Sequence, residues 1–178
     1  MGFVSMCREF DWRSELELLV DDAAPAANGS VDKFAESDLS NEFFLQQFTK
    51  IGEEPFCQKK YWTSFAKILI KRGIDRISDV RETMLIWLQD INWPGSDLIW
   101  DFVSANYTEY LQPLKKCIVS AIITDDSAWL NALLSLVYKS KGFSNAEISE
   151  RLNYDGKLLQ ADYSTDELYE IVGNIICD

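Results

Sequence analysis

Four aspartates are the residues best placed to do chemistry: Asp90, Asp97, Asp101 and Asp126. Asp97 and Asp101 stand four apart and would share a helix face. Two carboxylates brought together can divide acid–base work or hold Mg²⁺, although no spacing here demands that all four meet. The stretch WLQDINWPG, residues 87–95, adds a polar and aromatic edge in Asp90, Asn92 and Trp93. Such an edge suits a sugar or an arginine side chain. Asp125, Asp126 and Trp129 form a second group of the same kind. The absence of histidine excludes Ser-His-Asp and Cys-His catalysis in their usual forms, and histidine-based zinc sites. There is no phosphate-binding G-x-x-x-x-G-K-[ST], no G-x-G-x-x-G and no EF-hand loop. The expectation is a non-enzyme with no cofactor and no resident metal.

Those residues also have structural jobs, and these weigh more. Trp87 and Leu88 belong to an apolar helix stripe. Asn92 suits a cap for the following helix, Pro94 its first turn, and Gly95 a close approach of another element. Proline also turns Trp93 away from helical backbone and sharpens the corner. Acids such as Asp97, Asp125 and Asp126 are favoured at helix N-termini in any case.

The elements that position these groups are helices throughout. Residues 12–22, 31–36 and a stretch around Phe43–Phe48 read as helical, with Pro25 and the Asn28-Gly29 pair as a break and Ser40 as a cap. Residues 58–72 follow, with Gly73 as a left-handed stop. Residues 78–90 carry Val80, Met84, Trp87, Leu88 and then Ile91, an amphipathic stripe. Residues 94–106, 109–123 and 126–140 complete the series, with Pro113 tolerable only in a first turn. Ser144–Glu147 and Ser164–Glu167 are capping boxes for 145–153 and 165–176. Residues 154–163 suit a loop or a short strand. Tryptophans 62, 87, 100 and 129 sit on successive helices joined by short turns. The fold class is therefore all-α: antiparallel helix pairs stacked as a short HEAT-like α-solenoid or an irregular helical bundle.

Of 178 residues 47% are hydrophobic, enough for a real core, and no run is long and apolar enough to cross a membrane. No secretory signal is apparent, and Met6 stands where myristoylation after Gly2 wants Ser or Thr. Cys7, Cys57, Cys117 and Cys177 are widely spaced and read as isolated reduced thiols, so a cytoplasmic protein is expected. The formal net charge is −12, unevenly spread. Residues 1–56 hold 12 acids against 4 bases; residues 57–91 hold 7 bases against 4 acids. We read 1–56 as an acidic helical N-terminal extension and 57–178 as the main helical domain. The basic stretch from Lys59 to Arg81 is expected to pair with that extension. Net acidity repels phosphates and so argues against nucleic acid, while it suits a basic protein partner.

WLQDINWPG is similar to the W-L-Q-D-x-N-W-P signature of a bacterial family, domain of unknown function 5071. The resemblance includes a D-D-x-x-W element, here Asp125, Asp126 and Trp129, and covers about 59–140, with C-terminal helices 144–178 beyond it. Gly95 departs from it, standing where the family usually has a small β-branched or apolar residue. The resemblance implies a compact HEAT-like helical domain with no established activity, like small helical proteins found near bacterial toxin systems.

Two functions are therefore expected. The first is a protein–protein interaction module, an immunity protein that neutralises a basic toxin, with contact acids among Asp21, Asp22, Glu53, Glu54, Asp125, Asp126 and the tail. The alternative is a small-ligand or metal-binding protein, or an enzyme, using Asp90, Asp97, Asp101 and Asp126.

Overall fold

The computed structural model describes residues 11–19, 25–42, 60–158 and 162–177. Among them all regular structure is helical. The order is α1 (Trp12–Leu18), α2 (Pro25–Glu36), α3 (Trp62–Arg72), α4 (Arg81–Met84, tightening to a 3₁₀ helix over Leu85–Gln89) and α5 (Ser96–Ala105). Then come α6 (Tyr107–Ile123), α7 (Ser127–Ser140), α8 (Asn145–Leu158) and α9 (Thr165–Cys177). Neighbouring helices pack in pairs: α2 on α3, α3 on α5, α6 on α7, α7 on α8 and α9 back on α6. The result is an all-α bundle around one core, which runs from Leu19 and Phe34 through Trp62, Trp87 and Leu114 to Leu133 and Val172.

Several local expectations are corrected. Residues 78–90 are not one α-helix. In a 3₁₀ helix residues three apart eclipse each other. Met84 and Trp87 therefore share one side, Leu85 and Leu88 another, and all four are buried. Ile91, expected at the end of the same stripe, lies beyond the helix and is 64% exposed. The Asn28-Gly29 pair does not break the chain, because α2 runs from Pro25 through it. Proline is tolerated at a first helical position. Burial of Ala27, Val31 and Phe34 outweighs the cost of about 1 kcal/mol for an interior glycine. Helix α8 continues through Gly156 to Leu158, where a loop or strand was expected. Both capping boxes form: Glu147 accepts from Ser144 N at 2.9 Å and Glu167 from Ser164 N at 2.8 Å. Residues 43–48, Gly52, Cys7 and Cys57 lie outside the described residues.

Pro113 sits at the seventh position of α6, well past the first turn. Its missing N–H deprives the carbonyl four residues earlier, that of Glu109, of its helical partner. Arg81 Nη1 donates to that oxygen at 3.2 Å, and Nη2 to Ile74 O at 2.9 Å. One guanidinium thus repairs the proline defect and ties α4 to α6.

Part of the basic stretch, Lys71, Arg72 and Arg76, contacts the N-terminal segment. Lys71 pairs with Asp32 of α2. Arg72 and Arg76, however, bond mainly to backbone. Arg72 Nη2 donates to Phe34 O at 3.1 Å and Arg76 Nη1 to Ala35 O at 2.9 Å, both at the C-terminal end of α2. Cations complement unpaired helix-end carbonyls and the negative end of the dipole. Arg72 Nη1 also donates to Asn41 Oδ1 at 2.8 Å, and Asn41 Nδ2 donates to Asp79 at 2.7 Å. Ser64 Oγ donates to Leu19 O at 2.9 Å. The described part of the N-terminal segment is thereby bound to α3 through both its core and its polar groups.

Candidate functional site

The 87–95 corner is built from hydrogen bonds that leave little slack. Asp90 Oδ1 accepts from Asn92 N at 2.9 Å and from Asn92 Nδ2 at 3.0 Å. This is an Asx turn, in which a carboxylate mimics a backbone acceptor. Trp93 N donates to Asp90 O and Ser96 N to Trp93 O, both at 3.0 Å. Ser96, buried, donates Oγ to Trp87 O at 2.8 Å and lies 3.1 Å from Asp90 O. Trp87 Nε1 donates to Pro94 O at 3.1 Å. Asn92 therefore folds onto Asp90 and does not cap α5; Gly95 takes the N-cap position, with φ 85° and ψ 0°. Pro94 lies before the helix, not in its first turn. Gly95 serves the close approach expected of it, because a Cβ there would stand 3.0 Å from Ala66 Cβ and 3.2 Å from Thr63 Cα.

Trp93 is half-buried, its ring edge-on to Trp62 with centroids 5.0 Å apart. Trp87 also meets Trp62 edge-on, with centroids 6.0 Å apart. Such contacts are favoured by ring quadrupoles, and they occupy much of the aromatic surface that a ligand would use.

The second group is a helix junction. Asp125 has φ 56° and ends α6: its N–H bonds to Ile122 O at 3.1 Å, and Asp126 N to Ala121 O at 2.9 Å. These paired bonds are a Schellman motif. The same Asp126 caps α7, its Oδ1 accepting from Trp129 N at 3.0 Å. Trp129 is buried and its Nε1 donates to Leu85 O at 3.0 Å. The D-D-x-x-W element thus turns the chain and pins α7 to α4.

The structure brings only some of the expected residues together. Asp90 and Asn92 line an open groove of about 550 Å³ between the corner, α5 and α7, with Ile91, Trp100, Asn131 and Ser135. Trp93, Asp125, Asp126 and Trp129 do not line it. Asp97 lies one helical turn before Trp100, and Asp125 and Asp126 precede the groove residue Ala128. Asp97, Asp101 and Asp125 are exposed. Among the described residues, none of Asp90, Asp97, Asp101, Asp125 and Asp126 pairs with a cation. Nor do three Asp, Glu or Cys side chains converge as a metal site among them. Ile91, Asn131 and Ser135 are groove residues that the sequence reading missed. Asn131 and Ser135 carried a signal, being polar residues four apart in the apolar run Ala128–Val137.

Fold and corner together define a small all-α protein of packed helix pairs in which residues 87–95 and 125–129 build helix junctions. The family model described as domain of unknown function (DUF5071) matches residues 56–171, and the chain belongs to that family. No curated protein and no solved structure matches it.

Proposed function

We propose that this chain is a protein–protein interaction module whose groove docks a basic protein, in the manner of an immunity protein neutralising a toxin. One observation carries the reading. The groove combines exposed Ile91, half-buried Trp100 and the carboxylate of Asp90, and no lysine or arginine lines it. An apolar platform with an unpaired acid suits an arginine or lysine side chain, whose stem is apolar and whose head is charged. The net charge of −12 would speed encounter with a basic partner and make it salt-sensitive. In this reading the helix pairs act as a short HEAT-like stack that presents one edge. Among the described residues no helix is long and apolar enough to cross a membrane. Cys117 and Cys177 are free thiols, which fits action in the cytoplasm.

The test is affinity capture from the native host at low and high salt, read by mass spectrometry, with D90N and I91S alongside the unaltered bait. The expected result is one stoichiometric basic partner, lost at high salt and weakened by both substitutions. A blank at both salts from folded bait, or a partner indifferent to both substitutions, refutes the reading.

A further inference from the structure

A second cleft lies far along the chain from that corner. The end of α7, α8 and α9 border an open cleft of about 410 Å³ whose lining includes Tyr138, Phe143, Arg151, Asp155, Ile171 and Ile175. Asp155 is 6% exposed, and burying a carboxylate to this degree carries a cost that its partners must offset. Tyr138 Oη donates to Oδ2. Burial, then the adjoining Asp155 carboxylate, pushes the Tyr138 phenol well above its ordinary range, so it stays a donor. Oδ1 has no partner among the described residues. Arg151 stands one turn earlier on α8, spacing at which opposite charges ordinarily close on each other. Here they form no ion pair. The guanidinium lies instead over Phe143, 4.2 Å from its centroid, and 5.6 Å from that of Tyr138. A cation–π contact of this kind helps hold an arginine in place and uses none of its N–H donors. Lys141, whose Nζ donates to Ile175 O at 2.7 Å, adds positive potential at the same wall.

An acid with one oxygen not hydrogen-bonded among the described residues, a guanidinium that makes no ion pair with it and an apolar wall are three separate features met at one cleft. We infer that the cleft binds a free α-amino acid with an apolar side chain. Asp155 receives the ammonium, Arg151 the carboxylate, and Ile171 and Ile175 the side chain. A purely anionic ligand would be repelled by Asp155, and a purely cationic one by Arg151 and Lys141. The cleft volume lies within the range of small-molecule sites. The inference is independent of the partner reading, since the two sites share no residue.

The experiment is calorimetric titration of the full chain with L-leucine and with L-phenylalanine. Isopentylamine and 4-methylpentanoate, each lacking one charged group of leucine, serve as comparisons. Saturable binding is expected, weakened about tenfold or more for each comparison compound and in R151Q, the loss of one charge-assisted hydrogen bond. D155N should weaken it likewise. Because D155N alters a buried group, R151Q, at an exposed position, decides the matter once its melting curve matches that of the unaltered protein. No binding of either amino acid at concentrations up to about 10 mM, a ceiling set by the weakest affinity two such contacts would give, overturns the inference. So does equal binding by isopentylamine, by 4-methylpentanoate or by R151Q.

Discussion

Replacing Gly95 with alanine tests the corner most directly, because two separable penalties fall on one methyl group. The first is conformational. Gly95 has φ 85°, where an L side chain costs about 1–2 kcal/mol. The second is steric. The added Cβ would stand 3.0 Å from Ala66 Cβ, 3.2 Å from Thr63 Cα and 3.3 Å from Trp62 O. Two of these three are backbone atoms of α3, which no rotamer change can move. Overpacking of this kind costs about 1–3 kcal/mol. G95A should therefore lose about 2–5 kcal/mol, a large share of the roughly 5–15 kcal/mol that holds a domain together. Gly142 supplies the control. Its φ is 86°, and a Cβ there meets nothing within 4 Å, so G142A should lose only about 1–2 kcal/mol. Urea unfolding of both variants measures the difference, and the midpoint of thermal unfolding should fall by on the order of 10 °C in G95A. Pairing G95A with A66G, which removes the nearest atom, should recover part of the loss as a coupling energy. If G95A proves no less stable than G142A, α3 and the corner do not approach as closely as described, and the steric account fails.

Two further perturbations probe the junctions. R81M leaves the Glu109 and Ile74 carbonyls without their side-chain donor and should cost about 1–3 kcal/mol in urea unfolding, and an unchanged midpoint would show that Pro113 needs no repair. In the capping boxes the Ser144 and Ser164 hydroxyls, then their backbone N–H groups, hold Glu147 and Glu167 below the ordinary value of 4.5. A depressed folded-state value means that this stability is present above the unfolded value and lost as pH falls through the folded one. The E147Q/E167Q double variant should show a shallower fall in melting temperature below pH 4.5 than the unaltered chain, and parallel curves would contradict it.

How much of the candidate site was legible follows from the range of each interaction. The capping boxes and the Gly73 stop depend on residues within one turn of each other, so spacing alone revealed them, whereas Asp126, expected inside the first turn of its helix, caps it instead. Asn92 was misread because Asp90, two residues earlier, offers a competing acceptor that pulls it away from the helix N-terminus. Ile91 was misread because the stripe over 78–90 fits an α-helix as well as it fits a short helix followed by a 3₁₀ turn. Only packing of Met84, Leu85, Trp87 and Leu88 against several neighbours at once favours the tighter winding. Asp155 went unnoticed because nothing near it in sequence marks it as buried. Its partner Tyr138 lies 17 residues away on another helix.

By itself, then, the amino-acid order determined the helical class, most helix ends and the helix junction at 87–95, because each is written in local periodicity and side-chain-to-backbone hydrogen bonding; the family was legible by resemblance alone. Tertiary structure alone decided which acids share a groove, which arginine mends Pro113 and which carboxylate is buried behind Tyr138. Those outcomes depend on distances between helices far apart in the chain, fixed only when the apolar faces close on a common core.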